Sequence, residues 1–175
     1  MLRIAIVGPE SSGKTTLCGA LAVHFQASLV HEFARAYLGP REGRYDRADL
    51  LLIAEAQCAA EDTAMREDAP VVFCDTDMVT IRIWSEEKFG ACDPRIIRLS
   101  EERHYDHWLL CSPDMPWEQD PLRENPLDRD RLFSVHEALL NKLGKPYTII
   151  QGENPLRMRT AIARVSELLS GPDAS

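Results

Sequence analysis

The sequence predicts an α/β fold of three layers, with a five-stranded parallel sheet covered by helices on both faces. Three observations carry that prediction. Short apolar runs alternate with stretches of helical spacing along the whole chain. The first run, Leu2 to Val7, is apolar at nearly every position, as in a strand buried on both faces. That run then breaks into a glycine-containing turn leading directly into a helical pattern.

Taken in order, Leu2 to Val7 reads as the first strand. Lys14 to Phe25 follows as a helix, with Leu17, Leu21 and Phe25 at helical spacing. Ser28 to Glu32 suits a second short strand. Gly39 to Tyr45, rich in glycine and arginine, suits an exposed loop. Asp46 is placed to cap a long helix carrying Leu50, Leu51, Ala54, Cys58 and Met65 on one stripe. Val71 to Cys74 is the third strand, and Met78 to Lys88 and Pro94 to His104 are helical. Trp108 to Cys111 is the fourth strand, Leu132 to Leu143 a helix, Tyr147 to Ile150 the fifth strand and Leu156 to Leu169 the last helix. Between the fourth strand and the next helix, Pro113, Pro116, Pro121 and Pro126 stand among charges, so residues 112–131 are expected to form a mobile lid. One domain over residues 1–170 is expected, with 171–175 as a disordered tail. Ligands belong beyond the C-terminal ends of parallel strands.

Composition narrows the function. The chain has 175 residues, 45% of them apolar and 27% charged, which is the balance of a folded globular protein. A formal charge of −8 disfavours sequence-independent binding to nucleic acid, which needs clustered cations. No run reaches the length of a membrane span, so no membrane partner is expected. Cys18, Cys58, Cys74, Cys92 and Cys111 are odd in number and free of Cys-x-x-Cys pairs. They read as reduced thiols of a cytoplasmic protein.

The turn after the first strand carries the chemistry. Gly8-Pro9-Glu10-Ser11-Ser12-Gly13-Lys14-Thr15 has the spacing G-x-x-x-x-G-K-[ST] between a strand and a helix, where its mechanics require it. Gly8 and Gly13 permit positive φ and close backbone approach to phosphate. Backbone N–H groups and the helix N-terminus point at the anion. Lys14 spans the β- and γ-phosphates, the Thr15 hydroxyl ligates Mg²⁺, and Thr16 completes the set. Lys14 is one of four lysines against sixteen arginines, so the motif is no lysine-rich accident. The expected ligand is a nucleoside triphosphate. Asn154 and Arg157, in the segment after the last strand, are expected near its base.

Acidic groups at strand ends complete the reading. Asp75 ends the third strand, where such proteins hold Mg²⁺ through water. It could equally cap the following helix, as could Thr76 and Asp77. Asp77 and Glu32, with Arg35 one turn on, are placed to face an acceptor, and each of the three carboxylates could take a hydroxyl proton. Lid arginines Arg123 and Arg129 could neutralise charge developing on the transferred phosphoryl group, or pair with the neighbouring acids. Trp117 could stack on a planar ligand or anchor the lid. His31, beside Glu32, is a further candidate ring contact. Trp84 reads as packing. His104-x-x-His107 with Cys111 lacks a second pair for tetrahedral zinc, so no metal cluster is expected there.

Several separate blocks carry a family resemblance. They are the phosphate-loop motif, Glu32-Phe33-Ala34-Arg35-x-Tyr37, Asp75-Thr76-Asp77, and the Trp84 helix ending at Gly90. Downstream come Cys111-x-Pro113-Asp114-x-Pro116-Trp117, Asp120-Pro121-Leu122-Arg123-Glu124, and Gly152 with Arg157. From Leu2 to about Ile162 the chain resembles the nicotinamide riboside kinase domain of the NadR type, grouped with the AAA-like P-loop ATPases. The resemblance implies a P-loop kinase fold, ATP and Mg²⁺ as cofactors, and a small-molecule nucleoside substrate. The implied reaction moves the γ-phosphate of ATP to the 5′-hydroxyl of nicotinamide riboside for NAD salvage, with Tyr37 among the substrate contacts. The alternatives are a kinase for another nucleoside or nucleotide, or a non-catalytic ATPase switch. His31 departs from the family, which has an aromatic residue there to stack on the pyridinium ring. A neutral imidazole could still stack.

Overall fold

A computed structural model describes residues 1–119 and 127–171. The chain runs β1 (Leu2–Val7), α1 (Lys14–Phe25), β2 (Ser28–Val30), α2 (Phe33–Leu38), a 3-10 turn (Gly39–Arg41) and α3 (Arg47–Ala64). It continues through β3 (Val71–Asp75), α4 (Met78–Phe89), α5 (Pro94–Glu102), β4 (His107–Cys111), α6 (Arg129–Lys142), β5 (Tyr147–Ile150) and α7 (Asn154–Ser170). The five strands are all parallel, in the order β2-β3-β1-β4-β5. β1 is central, and the chain lays strands first on one side of it and then on the other. The crevice between those directions opens at the C-terminal end of β1.

Alternate residues of each strand feed two different cores. Ile4, Ile6, Val71, Phe73, Leu109, Cys111 and Ile150 face Leu17 and Leu21 of α1 and Ala161 and Val165 of α7. Ala5, Val7, Val72, Cys74, Trp108 and Leu110 face Val79 and Ile83 of α4 and Leu139 and Leu140 of α6. A third cluster joins α2, α3, α4 and α5 through Leu38, Leu50, Ile53, Met78, Ile81 and Ile96. α4 therefore lies between two apolar layers and is buried nearly all round.

The element order matches the sequence reading, with differences at edges. β2 stops at Val30, leaving Glu32 as the residue that starts α2. α2 and the 3-10 turn arise where the sequence reading had no helix, and α5 ends at Glu102, short of His104. Asp46 does cap α3: its carboxylate accepts from the N–H groups of Ala48 and Asp49, and Asp49 answers the Asp46 N–H. Of the expected lid, residues 112–119 and 127–131 are described, and Arg123 lies outside the described residues. No helix among the described residues is long and apolar enough to cross a membrane.

Candidate functional site

The loop from Gly8 to Gly13 hangs between β1 and α1 at the crevice. Gly8 has φ +136°, and a Cβ there would stand 2.5 Å from the Cys111 carbonyl at the end of β4. Close approach to the neighbouring strand thus demands glycine, as much as any phosphate does. Gly13, at φ +76°, precedes α1 with no side-chain cap, leaving first-turn N–H groups for a ligand or water. Donors hold the loop's carbonyls. The Pro9 carbonyl accepts from Ser12 Oγ at 2.8 Å and Lys14 Nζ at 2.7 Å. The Ser11 carbonyl accepts from Arg129 at 3.1 Å, and the Ser12 carbonyl accepts from Arg157.

This loop floors a cleft of about 520 Å³. Glu32, Arg35, Leu38 and Tyr45 line it, together with Ile83, Trp84, Glu87 and Lys88 of α4. Arg131, Leu132 and His136 of α6 close the end, and Met115, Pro116 and Glu118 lie over the loop. The phosphate-loop residues Gly8, Glu10, Ser11, Ser12, Gly13, Lys14, Thr15 and Thr16 all line the cleft, as do Glu32 and Arg35. An anion nest and an acidic wall therefore share one chamber.

Asp75 ends β3 in register with Ile6, is 2% exposed and stands behind the loop, outside the cleft lining. Its charge, after burial itself, helps push the Cys18 thiol up, which sets it close to α1. Its Oδ1 has no hydrogen-bond partner among the described residues. A buried acceptor left open beside a phosphate loop fits an ion that keeps most of its water, with the exposed Thr15 hydroxyl as the second protein ligand. These two residues fit Mg²⁺.

The structure places the other candidate residues as follows. Asp77 is fully buried: Oδ1 accepts from the Thr80 N–H and hydroxyl, and Oδ2 accepts from Trp108 Nε1 at 2.7 Å. Burial pushes its carboxyl above the ordinary range. It caps α4 and cannot face an acceptor. Tyr37 donates to Asp49 at 2.7 Å and lies under Arg41, outside the cleft lining. His31 borders a separate shallow groove with Leu29, Phe33 and Ala60, because β2 ends early and the chain turns it outward. Its departure from the family pattern does not touch the cleft. Trp117 stands beside Arg129, with 5.8 Å between guanidinium carbon and ring centre, outside the cleft lining. Arg129 itself donates to loop and lid carbonyls, Ser11 and Met115. Asn154 is exposed at the start of α7 and does not line the cleft. Arg157 is buried under the loop rather than presented to a base. His107 turns inward to Thr148.

Trp84, Tyr45, Lys88 and His136 are among the cleft residues that sequence reasoning did not assign to it. Lys88 Nζ sits 3.7 Å over the Tyr45 ring, covering that face, so Trp84 is the half-buried ring better placed to meet a ligand. His136 is 2% exposed. Its Nδ1 is 2.8 Å from the Leu132 carbonyl, and burial holds its pKa at about 4, so the imidazole is neutral.

A 2-3-1-4-5 parallel sheet whose central strand feeds this nest defines a P-loop nucleoside-triphosphate-binding protein of the kinase fold. The chain belongs to the AAA domain family, whose model matches residues 3–157. The trifunctional NAD biosynthesis/regulator protein NadR of Escherichia coli (strain K12) is 32% identical over 157 residues. That match takes in 86% of this chain but 38% of the relative, so the chain spans well under half its length. A crystal structure of NadR protein in complex with NR superposes with a TM-score of 0.74 at 22% identity, covering 97% of this chain and 52% of that one. A second, with NAD and AMP-PNP, gives 0.79 at 22% identity, covering 94% and 48%. At that identity the two structures speak to the fold.

Proposed function

We propose that this chain, as one domain over residues 1–170, is a kinase that transfers the γ-phosphate of ATP to the 5′-hydroxyl of nicotinamide riboside. The product is nicotinamide mononucleotide, a step of NAD salvage. The reading rests on one observation above all: the phosphate nest opens into the same chamber as Glu32, Arg35 and Trp84. The relative that works in NAD biosynthesis and the NR-bound structure of the same fold support the acceptor.

The residues then divide the work. The loop's N–H groups and Lys14 hold the phosphates. Mg²⁺, when bound by Thr15 and through water by Asp75, neutralises charge on the phosphates. Trp84 offers a π-face to the cationic pyridinium ring, and Arg35 offers donors to the ribose. The 5′-oxygen bonds to the γ-phosphorus as the bond to the β–γ bridging oxygen breaks, leaving ADP. The hydroxyl proton passes to the Glu32 carboxylate. In so loose a transition state, positioning and charge neutralisation contribute more than the base.

An ADP-release assay over a panel of nicotinamide riboside, purine and pyrimidine nucleosides tests the reading. Turnover that requires nicotinamide riboside supports it. Preferential turnover of another nucleoside, or ADP release indifferent to any acceptor, contradicts it.

A further inference from the structure

Arg157 sits on α7, remote in sequence from the phosphate loop, yet it is 2% exposed and packed directly behind it. Its guanidinium donates to three oxygens of the described residues. Nη2 donates to the Ser12 carbonyl, and Nη1 donates to Asp114 Oδ1 at 2.7 Å and to the Ser112 carbonyl at 3.3 Å. Asp114 turns its other oxygen to the Gly152 N–H at 2.6 Å, in the turn after β5. One buried cation thus ties together the phosphate loop, the segment leaving β4 and the turn leaving β5.

The consequence follows from peptide geometry. In a trans peptide the carbonyl and the following N–H point in opposite directions. Drawing the Ser12 carbonyl back toward Arg157 turns the Gly13 N–H forward, toward the cleft. Gly13 has no side chain to resist, and a Cβ there would meet Met115 Sδ at 3.0 Å and Arg157 Nη2 at 3.8 Å. Arg129 holds the Ser11 carbonyl in the same manner, so two successive peptides of the loop are set by arginines. A nest whose N–H groups are aimed beforehand binds phosphate without reorganising at the moment of binding.

We propose that Arg157 is a positioning residue for phosphate binding and transfer, acting through the Ser12–Gly13 peptide and oriented by Asp114, and not a contact to the nucleotide base. The proposal rests on the kinase reading above only in the identity of the anion. Arg157→Lys keeps the charge and loses the two-pronged donor geometry. Tripolyphosphate and AMP-PNP, each with Mg²⁺, are titrated against wild type and variant by calorimetry, beside steady-state kinetics and thermal melting.

The expected result is about tenfold or more weaker binding of both probes, a fall in kcat alongside the rise in KM for ATP, and KM for the acceptor nearly unchanged. Weakened AMP-PNP binding with unchanged tripolyphosphate binding would assign Arg157 to the base and overturn the proposal, as would a variant indistinguishable from wild type. Should Arg157→Lys fail to fold, the partly exposed Asp114 carries the test as Asp114→Asn. Several-fold weaker tripolyphosphate binding supports the clamp, and unchanged binding overturns it. Wild type that binds tripolyphosphate but phosphorylates no nucleoside leaves the clamp standing and removes the kinase reading. Wild type that binds neither probe removes both.

Discussion

Lys14 and Trp84 both line the cleft, and each yields a separable expectation. Lys14 donates to the Pro9 carbonyl of its own loop, so its loss leaves the core intact. Lys14→Ala is expected to lower phosphoryl transfer roughly a hundredfold to a thousandfold, with the melting temperature nearly unchanged. An active Lys14→Ala enzyme would rule out the phosphate nest. Trp84→Ala is expected to raise KM for the acceptor about tenfold while KM for ATP moves little, and Trp84→Phe is expected to restore most of the loss. A Trp84→Ala protein that melts early but keeps its acceptor KM would return this ring to simple packing. Sequence alone reaches Lys14 because a short contiguous motif carries its own context. It misses the place of Trp84 because helical spacing tells how a helix packs, not which half-covered ring looks into a cleft formed by other elements.

At the scale of elements, the turn from β3 into α4 explains why neighbouring acids take different parts. Asp75, still on the strand, keeps an oxygen with no hydrogen-bond partner among the described residues. Asp77, two residues on, is consumed by the Thr80 cap and the Trp108 indole across the sheet. Asp77→Ala is therefore expected to cost about 2–4 kcal/mol of stability in urea melts, by removing a cap and orphaning a buried indole N–H. A variant of full stability with a raised acceptor KM would instead put Asp77 in the site. The sequence displays both acids at a strand end, but the pattern of alternation does not say which one a distant tryptophan will bind. Likewise, placing His31 at the cleft depends on the premise that β2 runs to Glu32, and placing Tyr37 there comes from the family resemblance. The end of β2 at Val30 rotates His31 into the outer groove, and Asp49 on α3 draws Tyr37 away.

Across the whole molecule, the strands and the cores on the two faces of the sheet follow from apolar runs that sequence displays directly, which is why the fold class was legible and the strand order and the acceptor wall were not. That wall joins α2, Tyr45 in the loop before α3, and α4, which only tertiary packing brings together. The same packing buries two histidines, with a consequence for stability. His107, beside Arg164, and His136, facing Lys14 and Glu87, both have pKa values lowered to about 4, chiefly by burial, against 6.5 for an unperturbed imidazole. Between those values the unfolded chain binds more protons than the folded one, so stability falls as pH drops from about 6.5 toward 4. Each histidine adds at most about 1.4 kcal/mol per pH unit to that slope. Urea melts over this range check it: His136→Gln is expected to flatten the slope by roughly one proton's worth, and an unchanged slope would contradict a neutral buried imidazole.

The most direct measurement is a crystal structure of the chain with AMP-PNP, Mg²⁺ and nicotinamide riboside bound together. The account places the triphosphate on the Gly8–Thr15 loop, the pyridinium ring against Trp84, and the 5′-hydroxyl between Glu32 and the γ-phosphorus, in line for attack. A triphosphate seated elsewhere, or a riboside whose hydroxyl turns away from the γ-phosphorus, would contradict it.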